Sequence, residues 1–259
     1  MTGTADPTYP DLAGKVAVVT GASRGIGAAT AQALAANGIN VALVGRDDVA
    51  LRSVAQEINS KGDGHAIPVR ADCLDLHDLE RLHQQVHEAF GTVDILVAFA
   101  GGGGSPVDTI NESADHWRAV LDTNLTATFL TIKTVLPHLS VSGASIITMA
   151  SESARQPTAS SAAYAAAKAG VIALTAHLAH ELAPRGVRLN CLAPSTIETE
   201  AMRSRTPDDV RSRIAASFPL GRIGHVEDVA AATLFFASKS SSWLTGTTLD
   251  IAGGKVTMR

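Results

Sequence analysis

Val16-Ala17-Val18-Val19-Thr20-Gly21-Ala22-Ser23-Arg24-Gly25-Ile26-Gly27 decides the fold of this chain. Its first five residues form a short apolar run with β-branched side chains, the pattern of a strand buried on both faces. Three glycines follow, and then an Ala-rich segment with the composition of a helix. A strand running through a glycine turn into a helix is the context that a dinucleotide fingerprint requires. The glycines permit a tight turn, close backbone approach to a pyrophosphate and close packing of helix on strand. The helix N-terminus offers free N–H groups and the positive end of its dipole to phosphates. A glycine pattern alone carries little weight; its placement between strand and helix gives it weight.

The alternation continues outward from this unit. Short apolar runs predict strands near 15–20, 40–44, 65–70, 94–99, 145–149, 187–192 and 248–251. Helices are expected near 25–37, 48–60, 75–90, 113–138, 161–183 and 226–238. Strands alternating with helices imply parallel pairing through right-handed crossovers, hence an α/β doubly wound seven-stranded parallel sheet of Rossmann type. With 259 residues, 46% apolar, and no linker, charge block or repeat, a single domain over 12–259 is expected. Residues 1–11 carry two prolines and no apolar periodicity, and read as a flexible arm. The polar stretch 195–218, with Arg203, Arg205, Arg211 and Arg213, is too long for a turn and reads as a lid, its charges equally compatible with a solvated face. Leu74, Leu76, Leu79, Leu82, Val86 and Phe90 have the spacing of a buried helical stripe.

No basic, apolar leader or membrane-length run is evident, and a formal charge of −4 gives no reason to expect nucleic acid or an anionic bilayer. A cytoplasmic protein is the expectation. Cys73 and Cys191 fit a reducing compartment and read as buried small apolar residues. His83 and His87 have the i, i+4 spacing of a metal pair, but no Glu stands at the catalytic position of a zinc-protease motif, and no metal is expected. His177 and His180 read as residues of a helix-packing or subunit surface.

The chemistry concentrates at Tyr164 and Lys168, four apart in Ser160-Ser-Ala-Ala-Tyr-Ala-Ala-Ala-Lys-Ala-Gly170 and so on one helical face. A Lys ammonium about 4 Å from a phenol favours the phenolate by roughly 4 kcal/mol at an effective dielectric of about 20. That is at most about 3 pKa units. Such a pair alone is ordinarily a packed ring with a solvated amine. Here Ser151 lies thirteen residues upstream, at the end of the predicted strand 145–149 and therefore at the border of the ligand crevice.

From Leu12 to Gly254 the sequence resembles the single-domain form of the short-chain dehydrogenase/reductase family. The resemblance rests on Thr20-Gly21-x-x-x-Gly25-x-Gly27, Asp72, Asp94-Ile-Leu-Val97, Asn124 in Asp-Thr-Asn-Leu, Ser151, Tyr164 with Lys168, Asn190-Cys-Leu-Ala-Pro194, Gly221-Arg-Ile-Gly224-His-Val-Glu-Asp-Val229 and Asp250-Ile-Ala-Gly-Gly254, in the family's order. It implies that Tyr164 is the general acid/base in ketone and alcohol interconversion and that Ser151 holds the substrate oxygen. Lys168 would hold the nicotinamide ribose and bias the phenol, while Asn124 would keep a relay water. Gly21, Ser23, Arg24, Gly25, Ile26 and Gly27 are implied to cradle the cofactor phosphates. Asp72 and Cys73 are implied at the adenine, Ala100 and Gly101 along the cofactor, and Pro194, Ile197 and Thr199 at the nicotinamide. The glycines 101–104 permit close approach.

Where a carboxylate selecting NAD(H) is expected, the chain has Gly45 followed by Arg46. Arg46 and Arg24 suit a 2′-phosphate, so NADP(H) is favoured over NAD(H), with Asp47 and Asp48 keeping NAD(H) open. Two departures stand out: Ala98-Phe99-Ala100-Gly101 replaces the family's Asn-Asn-Ala-Gly, and Pro194-Ser195 replaces Pro-Gly. The resemblance implies a small-molecule carbonyl or alcohol substrate, a 3-oxoacyl ester being one candidate and a sugar, polyol or steroid alcohol another. It also implies a homotetramer built on the long helices. A non-catalytic NADP-binding regulator is the alternative from another class.

Overall fold

The computed structural model describes residues 7–102, 106–140 and 143–256. The chain runs through β1 (Val16–Thr20), α1 (Gly25–Ala36), β2 (Asn40–Gly45), α2 (Asp48–Lys61), β3 (Ala66–Arg70), α3 (Leu76–Phe90) and β4 (Ile95–Ala98). It continues through α4 (Ala114–Leu121), a π-helical turn (Asp122–Thr126), α5 (Ala127–Val135), β5 (Ser145–Met149), α6 (Ala162–Leu182) and β6 (Arg188–Pro194). The last part comprises β7 (Ile197–Glu198), α7 (Glu200–Arg205), α8 (Asp208–Ala216), β8 (Gly224–His225), α9 (Val226–Ala237) and β9 (Thr248–Ile251).

Seven strands form one parallel sheet in the order β3-β2-β1-β4-β5-β6-β9, as the alternation predicts. The order reverses between β1 and β4, so the ends of those strands open a crevice at Gly21 and at Phe99 to Gly101. All five β1 residues are buried. Ala17 and Val19 join a core with α1, α2 and α9, and Val16 and Val18 join a second core with α3, α5 and α6. The period of two therefore divides the strand between two helical layers.

Local capping sets the helix starts. Asp47 accepts from the Ala50 amide at α2, and Asp75 accepts from His77 and Asp78 at α3. Ser161 accepts from the Tyr164 amide at α6. The buried stripe is shorter than its spacing predicts. Leu79, Leu82 and Val86 are buried and Phe90 half-buried, whereas Leu74 and Leu76 are exposed, Leu74 because it precedes the Asp75 cap and Leu76 because it is the first residue of the helix. The single helix expected over 113–138 is interrupted by the π turn, where the Asn124 amide donates to the Val120 carbonyl at 3.0 Å.

Residues 1–6 of the expected arm lie outside the described residues. From Pro7 the chain is held: Tyr9 N donates to Asn37 Oδ1 at 2.7 Å, Asn37 Nδ2 donates to the Pro7 carbonyl, and Leu12 is fully buried. The stretch 195–218 contains β7, α7 and α8. Glu198 accepts from Arg203 at 2.8 Å and Arg211 at 3.0 Å, which ties both short helices to β7. Arg213 pairs with Asp209 on the surface, so only part of the arginine set is a solvated face. His177 and His180 are exposed on α6. Among the described residues no His, Cys, Asp or Glu cluster has the makings of a metal site, and His83 stacks on His138.

Candidate active site

The turn between β1 and α1 forms a cradle that only glycine fits. Gly21 has φ +72°, and a methyl on Gly27 would lie 2.1 Å from the Gly21 carbonyl oxygen. Arg24 caps α1 in extended conformation without a side-chain hydrogen bond, which leaves the helix's first N–H groups without a side-chain cap. Ile26 leans on the core, and Ser23 lies against Gly45 at the end of β2, with Oγ 3.7 Å from where a Cβ there would sit. Thr199, entering α7, reaches over the turn, its methyl 3.4 Å from the position of a Gly25 Cβ. A glycine cradle under an uncapped twelve-residue helix fits a dinucleotide pyrophosphate.

On the adenosine side, Arg24 and Arg46 are both exposed, and Arg46 reaches Asp72 only at 3.9 Å. The neighbouring carboxylates are engaged: Asp47 caps α2, and Asp48 accepts from Arg52 Nε at 2.8 Å. Asp72 accepts from the Leu74 amide at 3.0 Å. The Cys73 thiol is buried, and burial pushes its pKa up, so it is an inert apolar group there.

Strand β4 leads into Phe99, which is buried in the core and replaces the missing amide with packing. Thr20 Oγ1 braces this end of the strand. It donates to the Val97 carbonyl at 3.4 Å and accepts from the Ala100 amide at 2.9 Å, stapling β1 to the end of β4. Gly101 then passes between two side chains, since a methyl on it would come within 2.8 Å of Asn124 Oδ1 and 3.5 Å of Lys168 Nζ. Asn124 Oδ1 also accepts from the Gly102 amide at 3.2 Å. Of the glycine run, Gly103 and Gly104 lie outside the described residues.

Ser151 follows β5, and Tyr164 and Lys168 sit in the first two turns of α6. Lys168 is buried, its Nζ donating to the Met149 carbonyl at 3.0 Å and standing 5.6 Å from the centre of the Tyr164 ring. The expected through-space bias toward phenolate is not what this geometry gives. Burial raises the Tyr164 pKa above its ordinary value, the Ser151 hydroxyl opposing it, while burial lowers Lys168 to about 8. The ammonium is aimed at a carbonyl rather than at the phenol oxygen.

At the far side of the crevice, Pro194 ends β6 opposite Ile251. Ser195 keeps an ordinary backbone, because positive φ among the described residues is confined to glycines. The Pro-Ser pair therefore adds no left-handed strain to this turn. Ile197 is buried and packs on Gly224, so only its backbone can border the crevice.

The family model described as Enoyl-(Acyl carrier protein) reductase matches residues 21–255. The chain is 38% identical over 244 residues to a 3-oxoacyl-[acyl-carrier-protein] reductase of Chlamydia pneumoniae, covering 94% of this chain and 97% of the relative. It is 38% identical over 252 residues to 3beta-hydroxysteroid dehydrogenase 1 of Eggerthella lenta, covering 95% of each. A solved short-chain type dehydrogenase/reductase from Mycobacterium marinum superposes with a TM-score of 0.89 at 35% identity, covering 95% of this chain and 97% of that one.

Proposed function

The chain belongs to the short-chain dehydrogenase/reductase family, and from that premise we propose that it interconverts a ketone and a secondary alcohol with NADP(H), using Tyr164 as the acid/base. The relatives' names span a 3-oxoacyl-[acyl-carrier-protein] and a 3beta-hydroxysteroid, each at 38% identity. The reaction they share, rather than either substrate, is what comes over to this chain. One observation carries the reading: Lys168 and Asn124 converge on the backbone at Gly101, and Ser151, which bonds the Tyr164 phenol, follows the end of β5 at the same edge of the parallel sheet where β1 runs into the uncapped start of α1.

When bound, the nicotinamide supplies hydride in reduction and accepts it in oxidation. Every other task falls to the protein's own side chains and backbone. Tyr164, with its pKa raised, is protonated throughout the neutral range and donates to the carbonyl oxygen as the alcohol forms. Ser151 holds that oxygen beside the phenol. Lys168, a cation below about pH 8, holds the nicotinamide ribose, and Asn124 retains the water through which protons reach it. The turn from Gly21 to Gly27 holds the pyrophosphate, Asp72 and the backbone at Cys73 border the adenine, and Ala100, Pro194, Ile197 and Thr199 line the path to the nicotinamide.

Charge supports NADP(H). Arg24 and Arg46 are exposed at the ribose end of the cradle, and the two carboxylates able to favour NAD(H) are committed to a helix cap and to Arg52. The ratio of kcat/KM for NADPH over NADH is expected to exceed about 10, since two charge-assisted bonds to a phosphate are at stake. Steady-state kinetics with both cofactors measures it, and a ratio below one contradicts this use of the arginines.

The assembly we infer is a soluble cytoplasmic homotetramer. Helix α6 passes a length and composition test for spanning a membrane. Its apolar residues have another explanation: one face packs on the sheet through Val171, Ala179 and Leu182. The Ala-rich opposite face, with half-exposed Phe129 on α5, suits close packing against a twin. Sedimentation at micromolar concentration is expected to show four copies; a monomer contradicts the inference.

A further inference from the structure

The residue after Ser151 is a buried carboxylate. Glu152 opens a short 3-10 helix (Glu152–Ala154), and the Ser151 hydroxyl caps that turn by accepting from the Ser153 amide at 3.2 Å. Ser151 and Glu152 therefore move as one unit, and a shift of the turn carries with it the hydroxyl that bonds the Tyr164 phenol. Glu152 is 7% exposed, and its Oε2 meets Gln156 Nε2 at 3.2 Å and Lys255 Nζ at 3.4 Å. Gln156 is neutral and belongs to the same loop, so Lys255 supplies both the opposite charge and the tie to the rest of the fold.

Lys255 lies beyond β9, near the far end of the chain, and its place is set by other partners as well. Its amide donates to the Ala252 carbonyl at 2.9 Å, and its ammonium stands 5.1 Å from the centre of the buried Phe218 ring. Gly253, at φ +54°, presses on that ring, since a methyl there would lie 3.2 Å from Phe218 Cδ1. The Leu220 amide donates to the Gly253 carbonyl at 3.1 Å, and the Ser195 amide donates to the Ile251 carbonyl at 3.0 Å. Residues 250–255 thus hold both roots of the segment that carries β7, α7 and α8. They also hold the Ser151 turn, through Lys255 and through Asp250, which pairs with Arg155 at 3.2 Å.

Resting on the oxidoreductase reading above, we propose that Lys255 is a positioning residue: by neutralising Glu152 it keeps the Ser151 hydroxyl in register with Tyr164, and it fixes that register to the root of the 195–218 segment. A buried carboxylate stripped of its cation must reach water or take up a proton. To reach water Glu152 rotates outward with its turn, and Ser151 is the cap of that turn. Displacing the hydroxyl from the reacting oxygen costs rate rather than cofactor affinity. The pair is asymmetric, because the Lys255 side chain is 32% exposed and keeps its water when alone, whereas that of Glu152 is 9% exposed. The harm from losing Lys255 therefore comes from the charge left behind, and a neutral amide at position 152 cancels it.

Wild type, Lys255→Met, Lys255→Arg and the double variant Lys255→Met/Glu152→Gln are compared with NADPH and whichever of ethyl acetoacetate, acetoin and cyclohexanone wild type reduces fastest. Lys255→Met is expected to lower kcat by about 10-fold or more. KM for the ketone shifts by less than about 3-fold, and the NADPH Kd, followed by its fluorescence, stays at the wild-type value. Lys255→Arg, which keeps the cation, and the double variant, which removes both charges, are expected within about 3-fold of wild type. Wild-type kcat in Lys255→Met overturns the proposal and leaves the reductase reading standing. A double variant as slow as Lys255→Met, or loss of NADPH binding in both, also overturns it, since the lysine then matters only through its stem on Phe218. Failure of wild type to reduce any of the three ketones despite bound NADPH overturns the reductase reading and the proposal with it.

Discussion

Tyr164→Phe is expected to lower kcat for ketone reduction by about 10²-fold or more while leaving NADPH affinity and Tm close to wild type. The phenylalanine ring occupies the same volume, and the contact with the Lys168 ammonium, 5.6 Å from the ring centre, needs only the ring face. What is lost is the proton donor. Because burial holds the phenol above its ordinary pKa, the wild-type enzyme remains in the donating form across the neutral range. Phenol ionisation therefore leaves the reduction rate unchanged there. Alcohol oxidation needs the phenolate and is expected to rise steadily with pH over the same interval. Parallel pH profiles in both directions, recorded for wild type and Tyr164→Phe, check this; equal rates for the two proteins would remove Tyr164 from the reaction.

The second large effect is on stability. Lys168 falls from an ordinary 10.5 to about 8 because the fold desolvates it, a difference worth about 3 kcal/mol. The sign follows from proton binding. Below pH 8 both folded and unfolded chains carry the ammonium, and the folded state bears the full desolvation cost. Between pH 8 and 10.5 the unfolded chain binds more protons than the folded one, so stability rises with pH. Above that window both states are neutral and the cost is gone. Denaturant unfolding of wild type and Lys168→Met should therefore show wild type gaining about 3 kcal/mol relative to the variant across this window. The variant also strands the Met149 carbonyl, which now accepts from Lys168, but that cost does not vary with pH. A pH-independent difference would mean that the ammonium is solvated in the folded protein.

The frame of the molecule was legible because its signals are local. The apolar run of β1 and the glycines that no larger residue can replace lie within one turn of each other. The six further sheet strands follow the same pattern, with boundaries within two residues of those expected. Less legible were features made by distant partners. The π turn at Asn124 depends on a side chain entering its own helix's hydrogen-bond ladder, which an Asn in a helical pattern does not announce. The orientation of Lys168 depends on the carbonyl of Met149, nineteen residues away. Spacing alone aims the ammonium at the phenol. Leu74 and Leu76 fit a helical stripe by spacing, but the buried stripe starts only at Leu79. Glu152 and Lys255 lie far apart in the sequence and look like ordinary surface charges until the fold brings them together. Arg24 and Arg46 stand out in sequence only once the glycine turn identifies where a ribose lies.

The central claim is that this fold delivers the Tyr164 hydroxyl to a carbonyl carbon that receives hydride from a bound nicotinamide. The most direct measurement uses NADPH deuterated at its transferable position, with a panel of ketones and mass analysis of the alcohol formed. Deuterium on the carbinol carbon in wild type, with product formation nearly abolished in Tyr164→Phe, is the expected result. Tight NADPH binding without labelled alcohol from any ketone, or undiminished labelling in the variant, would contradict it.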